Sequence, residues 1–599
     1  MQLLEKTTLK GGEFLIKETL ANDVFIPEEF SDEQKMIAQT CYDFVKQEVW
    51  TRLNDIDNIH QNPTLMPELM RKSGTLGMLG TSIPEQYGGF GMSFNTSMLV
   101  AEAVGGGHSF AVALSAHTGI ATLPILYYGN ETQKQHYLPK LASGEWIGCY
   151  CLTEPDSGSD ANAAKTTATL NTQGTHYAIN GRKMWITNGG FANILIVFAR
   201  IENDKNLTAF ILDNTMKGIS MNPEEHKMGI KGSSTRQIFF DNVSVPIENM
   251  LSTRGNGFKI AVNILNIGRI KLGAAVLGGM KRCLDLATKY ANERSQFGQT
   301  IGNFGAIKHK LGEMATRTWV TEATMYRAGQ NIDDAFNAMV ARGIEVNEAK
   351  LKSVEQFAIE CAIVKVHASE VLDYCVDESV QIHGGMGFSA ECETDRGYRD
   401  ARINRIYEGT NEINRMLAVD MLLKRALKGE IDMMTPASAI AKELTSIPDF
   451  APSDGEEMFA NEKKIIKGMK KAGLMIAGSA VQKLMLKLQD EQEILMNLAD
   501  ILIEIYAAES ALLRVEKMIT LKGEADCAMQ KNMAMIYLHS AVMRVQNSAT
   551  EALFAFGEGD ELRMMQMGLK RFLKVDAFNL KNARRAVADA LLEQGKYCF

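Results

Sequence analysis

The chain has 599 residues, 46% of them hydrophobic and 23% charged, and a formal net charge of -8. That length calls for several domains, roughly three to five. The acidic balance argues against general nucleic-acid binding, which needs a basic footprint. No apolar run approaches the roughly 20 residues needed to cross a bilayer.

The N-terminal stretch MQLLEKTTLKGGEFLIKETL mixes Lys and Glu. It has neither a hydrophobic signal core nor an Arg-rich transit pattern, so a cytoplasmic location is expected. Nine cysteines form no C-x-x-C pair and read as buried, reduced thiols. Cys149 and Cys151, two apart, share a face if they lie on a strand. The 34 methionines suit an adaptable helical core rather than a metal site, and no metal is expected.

Residues 1–148 read as a helical domain. Ser31-Asp32-Glu33-Gln34 offers a cap before the periodic run KMIAQTCYDFVKQEV. Thr81 to Ser93, TSIPEQYGGFGMS, is a loop by its Pro and glycines. The run SMLVAEAV then leads into Gly105 to Gly107. From Trp146 the texture changes, and residues 149–255 carry short runs such as THYAINGRKMWIT, ILIVFARI and RQIFFDNVSV, the pattern of strands and tight turns. Asn180-Gly181 is a hairpin signal between two of them. The helical period returns over 256–427, where four long amphipathic helices with short links predict an antiparallel bundle. Residues 428–460 read as a linker punctuated by Pro436, Pro448, Pro452 and Gly455. Residues 461–599 are helical again. The fold class is α+β, mostly α: an N-terminal helical domain, a central β-domain, a C-terminal four-helix bundle and an extra C-terminal helical domain.

Five segments carry chemistry. In CYCLTEPDSGSDANAAKT, small hydroxyl residues and exposed amides make a hydrogen-bonding cradle, or an ordinary polar turn. In GRKMWITNGG, Trp185 beside Ile186 and Thr187 offers a flat apolar face next to a hydroxyl, or a core Trp. In ERSQFGQTIGNFGAIKHKLGEM, Arg294 lies between helices where a guanidinium can hold a pyrophosphate or a surface ion pair. In QIHGGMGF, glycines end a helix and let backbone approach a ligand, or simply cap the helix. In RIYEGTNE, Glu408 stands just before a helix N-terminus, as a general base or as a charge favoured by the helix dipole. No G-x-G-x-x-G follows a strand, and there is no P-loop, H-E-x-x-H or nucleophile elbow.

Each segment alone is weak, but their order and spacing resemble the acyl-CoA dehydrogenase family over about residues 30–425. The resemblance implies FAD between the β-domain and the bundle, partly held by a neighbouring subunit. Tyr150, Leu152, Thr153, Gly158 and Ser159 would line the flavin, with Ser159 also near the thioester. Trp185, Ile186 and Thr187 would pack on and bond the isoalloxazine. Arg294, Phe297, Gln381, Gly384 and Gly385 would contact FAD bound mainly by the partner subunit. Thr410, Asn411 and Glu412 would touch FAD, and Gly409 the substrate. Asn266 and Arg269 match the family's CoA-contacting helix positions. Glu408 matches the catalytic base. Some members place the base one residue before that Arg, where this chain has Gly268. The implied reaction is α-proton removal by Glu408 with hydride transfer to the flavin, giving a trans-2-enoyl-CoA in fatty-acid β-oxidation. An electron-transferring flavoprotein is the implied acceptor.

The chain continues for about 170 residues beyond the bundle. Such an extension resembles the very-long-chain branch and implies a homodimer. Gly105 to Gly107, Ser109, Ala111 and Ala113 are small enough to leave room for a long acyl tail. The lysine-rich segment Lys463 to Gln489 is expected to pack on its own domain, with at most weak peripheral contact at the inner face of a membrane. Two other readings stay open: an acyl-CoA oxidase that uses oxygen, and a non-catalytic assembly or scaffold protein on the same fold.

Overall fold

A computed structural model of the protein describes residues 9–444 and 457–599. Pro448, Pro452 and Gly455 of the expected linker lie outside those residues. Pro436, also assigned to the linker, instead sits in the first turn of the helix Met434–Leu444, where its missing N–H costs no intrahelical bond.

The N-terminal helices form where the period asks for them. Ser31 caps the helix Asp32–Phe44: its hydroxyl accepts from Gln34 N at 3.2 Å, and the Gln34 side chain accepts from Ser31 N at 2.9 Å. Residues before Ser31 behave differently from the helical domain to which the sequence assigns them. They run as a strap over the bundle and the C-terminal extension. Glu360 accepts from Gly12 N at 2.7 Å, Phe14 packs on Tyr506, and Glu28 pairs with buried Arg514.

The middle of the chain is one eight-stranded sheet. Its strands are β1 (Gly148–Cys151), β2 (Thr167–Leu170), β3 (His176–Thr187), β4 (Ile194–Ile201), β5 (Thr208–Asp213), β6 (Ile219–Met221), β7 (Thr235–Pro246) and β8 (Met250–Leu251). They lie in the order β6-β7-β3-β2-β4-β5-β8, with β1 parallel to β4. Side chains alternate between two buried faces. Cys149, Cys151, Leu195 and Val197 fill the β-domain core, whereas Tyr150, Leu152, Ile196 and Phe198 face the apolar interior shared with the helices. The two cysteine sulfurs are 3.8 Å apart, on one face as the spacing predicts.

Asn180-Gly181 is not a hairpin turn. It lies inside β3, where the register with β7 shifts between Ile179 and Gly181. The glycine is needed because a Cβ there would meet Thr166 Oγ1 at 2.5 Å. The chain reverses earlier, between β2 and β3. A glycine in a strand often marks a bulge or a close backbone approach, and this one does both.

Four long helices follow: Gly257–Glu293, Gly305–Ala341, Ala358–His383 and Asn411–Leu427. Helix Phe94–Gly105 crosses the first of them at glycines. A Cβ on Gly105 would lie 1.9 Å from Ala275 O, and one on Gly278 2.0 Å from Glu102 O. The extension adds Ala460–Leu484, Gln492–Lys522, Ala528–Phe556, Gly559–Phe572 and Leu580–Gln594. The last of these returns to the bundle, with Gly312 against the backbone of Arg584.

The lysine-rich helix packs on its own domain. Lys470 is buried against Glu509, and Lys463 pairs with Glu516 at 2.8 Å. Contrary to the sequence reading, Ser109–Tyr128 and Gly257–Glu293 are long and apolar enough to cross a bilayer. Both are core elements here, with 78% and 72% of their most apolar windows buried.

Candidate active site

Glu408 stands in a turn that its own sequence makes unusual. It has φ 59° and Gly409 φ 80°, two consecutive left-handed residues between the short turn Arg402–Arg405 and the helix Asn411–Leu427. A left-handed glutamate is strained and persists only where surrounding contacts over-determine it. Those contacts are present. Asn414 Nδ2 donates to the carbonyls of Glu408, Gly409 and Thr410 at 3.3, 2.8 and 3.0 Å. Arg269 Nε donates to the Glu408 carbonyl at 3.3 Å, and Lys365 Nζ to the Gly409 carbonyl at 2.8 Å. Thr410 caps the helix by accepting from Ile413 N.

The carboxylate is left to do something else. Its Oε2 is buried and makes no hydrogen bond. Burial pushes Glu408 up to about 7, against the pull of Arg269 and Lys365. An unsatisfied buried acid poised near neutrality is what a general base requires.

Glu408 lies on the wall of a cavity of about 190 Å³. From Gly268 the cavity follows one face of helix Gly257–Glu293 through Leu272, Val276 and Gly279 to Leu286. Leu286 is 18 residues beyond Gly268, a rise of about 27 Å along the helix. Of the small residues expected to make room for a tail, Gly105, Gly106 and Ala111 line it. Gly107, Ser109 and Ala113 do not. Ala113 is buried in the core, and the Ser109 hydroxyl accepts from Gly232 N.

The residues singled out from the sequence fall into three groups. Tyr150, Leu152, Ile186, Asn266, Arg269 and Asn411 are buried, while Thr153, Thr187, Gly409 and Thr410 are half-buried. Gly158, Ser159, Trp185, Arg294, Phe297, Gln381, Gly384, Gly385 and Glu412 are exposed. Asn266 and Arg269 bond each other at 2.6 Å, and Arg269 turns to the base loop instead of to solvent. Arg294 and Phe297 lie on a small projecting hairpin, and Phe297 is 93% exposed. Tyr290 stacks on His383 at 4.3 Å, which brings this hairpin beside Gln381, Gly384 and Gly385. The hairpin is remote from Glu408, because Gly268 and Arg294 are 26 residues apart on the same helix, about 39 Å.

The TEPDSGSD loop is fixed by an ion pair that sequence reading missed. Lys183, fully buried, donates to Glu154 Oε1 at 2.7 Å, and Glu154 also accepts from the amides of Lys165 and Thr166. Lys365 and Asn414 were missed too. The one signal for Lys365 is a lone cation in the apolar run AIVKVHAS.

Strands β1 and β3 and the loop after β1 carry residues that fit a flavin. Trp185 leaves 54% of its surface open and holds a left-handed φ of 61°, a large ring lacking a partner. Thr187 lines the cavity close by. The Tyr150 hydroxyl is buried without a hydrogen-bond partner. Nothing lies within 4 Å of a Cβ built on Gly158. Flat apolar faces with hydroxyls at their edge suit a planar heteroaromatic ring.

Comparison with known proteins agrees with this geometry. Residues 31–145, 149–243 and 255–423 match the N-terminal, middle and C-terminal domains of acyl-CoA dehydrogenases, and residues 468–571 match a further acyl-CoA dehydrogenase C-terminal domain. A "Probable acyl-CoA dehydrogenase" of Bacillus subtilis is 45% identical over 588 residues, covering 98% of each chain. A crystal structure of an acyl-CoA dehydrogenase complexed with FAD from Bacillus anthracis superimposes with a TM-score of 0.95 at 43% identity, covering 99% of this chain and 100% of that one. The very long-chain specific acyl-CoA dehydrogenase of Rattus norvegicus is 40% identical over 382 residues, 62% of this chain and 53% of its own length.

The fold and the site therefore define a flavin-dependent oxidoreductase. The chain belongs to the acyl-CoA dehydrogenase family, and its cofactor is FAD.

Proposed function

We propose that this enzyme dehydrogenates long-chain fatty acyl-CoA thioesters between Cα and Cβ to trans-2-enoyl-CoA, as a step of fatty-acid β-oxidation, and passes the electrons to an electron-transferring flavoprotein. The observation that carries the chain-length reading is the cavity beginning at Glu408. Its length of about 27 Å approaches the roughly 30 Å hydrocarbon core of a bilayer, which two acyl chains span end to end. Similarity to a very long-chain specific relative supports the same reading.

Tyr150, Leu152, Trp185 and Ile186 would hold the FAD ring, with Thr153 and Thr187 bonding its edge. FAD, when bound, supplies the hydride acceptor. Glu408 takes the α-proton. Closure of the site by acyl chain and ring excludes water and keeps the carboxylate's affinity for that proton high. A loop N–H beside Glu408 stabilises the thioester oxygen as charge develops there. Arg269, Lys365 and Asn414 hold the loop so that the carboxylate need not reorganise. The remote patch of Arg294, Phe297, Gln381, Gly384 and Gly385 serves FAD of a second subunit, which makes the working unit a homodimer.

The test is a thioester series from butyryl-CoA to palmitoyl-CoA and longer, monitored anaerobically by flavin bleaching, with Glu408→Gln as control. The long thioesters should bleach fastest, and the variant should not bleach. Bleaching by short thioesters alone would sink the long-chain reading. Rapid reoxidation of the bleached enzyme by air would favour an oxidase instead.

A further inference from the structure

The contacts that hold the base loop do not stop at the bundle. Lys365 Nζ donates to the Gly409 carbonyl at 2.8 Å and to Asn411 Oδ1 at 2.6 Å. The amide nitrogen of Asn411 donates to Ser369 Oγ and Glu370 Oε1, each at 3.0 Å. Glu370 accepts two bonds from Arg415, from Nη1 at 2.7 Å and Nη2 at 2.9 Å. The remaining edge of that guanidinium, Nε, donates to Asp500 Oδ1 at 2.7 Å. Asp500 lies in helix Gln492–Lys522, inside the extension.

Two features mark this as more than a surface ion pair. Arg415 keeps only 14% of its side chain exposed, and its three nitrogen faces are all committed. Losing Asp500 frees one face and lets the guanidinium shift, taking Glu370 with it. Lys365, for its part, has no surface exposure and makes no ion pair within contact distance among the described residues. Its charge faces Glu408, Glu370 and Glu412, with Arg269 as the like-charged neighbour. Glu408 in turn faces Arg269 and Lys365, with Tyr150 and Tyr407 alongside.

We infer that Lys365 is a positioning residue for Glu408, and that the C-terminal extension steadies the base loop through Asp500, Arg415, Glu370 and Asn411. The strained Glu408-Gly409 turn needs holding from outside, and the extension supplies the outermost anchor. The inference rests on Glu408 being the base.

The test uses the FAD-loaded enzyme and three variants, Lys365→Met, Lys365→Arg and Asp500→Ala. It reads the pH midpoint of single-turnover flavin bleaching and the hydrogen exchange of segment 406–414. Removing a cation near a carboxylate raises its pKa. Lys365→Met should therefore move the midpoint up by roughly one pH unit, and Lys365→Arg, which keeps the cation, should leave it close to the parent's. Asp500→Ala should slow bleaching by about tenfold at unchanged KM, with faster exchange confined to 406–414 and an unchanged thermal midpoint. An unmoved pH midpoint in Lys365→Met overturns the role of Lys365. Wild-type exchange and rate in Asp500→Ala overturn the role of the extension. Should Lys365→Met fail to fold, Asn411→Ser removes the second acceptor of Lys365 and is read by the same exchange measurement. Persistent bleaching in Glu408→Gln would remove the base assignment instead, leaving the exchange measurements to report on the clamp alone.

Discussion

Gly268 lies directly against the carboxylate of Glu408: a Cβ built on the glycine would be 2.7 Å from Oε2 and 2.9 Å from Cδ. The helix and the Glu408 carboxylate share this space only because the position has no side chain. A carboxylate at 268 and one at 408 would exclude each other sterically, so the two possible places for a base are alternatives in space as well as in sequence. Gly268→Ala should push the Glu408 side chain aside and lower the bleaching rate by about a hundredfold. Alanine is the better helix former by about 1 kcal/mol. The variant should therefore fold and bind FAD normally, and urea unfolding beside stopped-flow bleaching separates the two effects.

Glu408 also ties activity and stability to pH. Burial raises it to about 7 from the ordinary 4.5, while Arg269 and Lys365 oppose the rise. A general base works ionised, so with Glu408 in the proposed role the bleaching rate should climb through about pH 7 and level off above it. The folded state holds a proton between pH 4.5 and 7 that the unfolded chain releases, so stability falls as pH rises through that window. Glu408→Gln carries no such penalty. FAD-free variant and parent should be similar near pH 5, and the variant should be more stable by about 2–3 kcal/mol at pH 8. Chemical denaturation at the two pH values is the measurement.

Much of this site could be read from the sequence because its chemistry sits in short contiguous motifs. Three residues picked out there, Trp185, Phe297 and Glu408, are left-handed non-glycine residues, the kind of strain that collects at working sites. Helical length and apolar content located the bundle, although Gly305–Ala341 and Ala358–His383 bury nearly every side chain along their central turns instead of one stripe. What stayed hidden depends on contacts between distant segments. Lys365 bonds a carbonyl 44 residues away, and nothing in AIVKVHAS names that partner. Asn180-Gly181 looked like a turn because the local pattern fits one. Only the approach of Thr166 shows that the glycine relieves a crowded bulge. The bonds of Arg269 to Asn266 and to the Glu408 carbonyl 139 residues away likewise could not be read from ILNIGRI. The two apolar segments that pass for membrane spans do so because a core helix and a spanning helix share composition.

Chain length should yield to a single substitution far from the chemistry. Gly279 lines the cavity 11 residues beyond Gly268, about 16 Å along the helix. A Cβ there would meet the end of Leu372 at 3.3 Å, which can give way, and Gly105 O only at 4.0 Å, an ordinary contact. Gly279→Leu should fill the far part of the cavity. A palmitoyl chain should then lose at least about tenfold in kcat/KM through overpacking, while butyryl-CoA, which does not reach position 279, keeps its rate. An equal loss for both thioesters would place the acyl tail elsewhere.

The wall of the same cavity carries a charged junction whose pH dependence runs in a predictable direction. His108, with φ 51°, bonds Asp400 Oδ2 at 3.0 Å and Glu393 Oε1 at 3.4 Å. Arg282 holds Glu393 from the other side, and Asp400 also accepts from Ile230 N of the β-domain. One cluster thus pins the N-terminal domain, the β-domain and the bundle together. Burial works against a charged imidazole here, but the two carboxylates outweigh it and raise His108 from 6.5 to about 9. A histidine raised on folding contributes its full stability below pH 6.5 and loses it as pH rises through about 9. His108→Ala should cost about 3 kcal/mol at pH 6, and the gap from the parent should shrink steadily towards pH 10. Urea unfolding at pH 6 and pH 9.5 decides the matter. A gap of equal size at both would mean that the ring acts by packing and that the junction's charge contributes nothing.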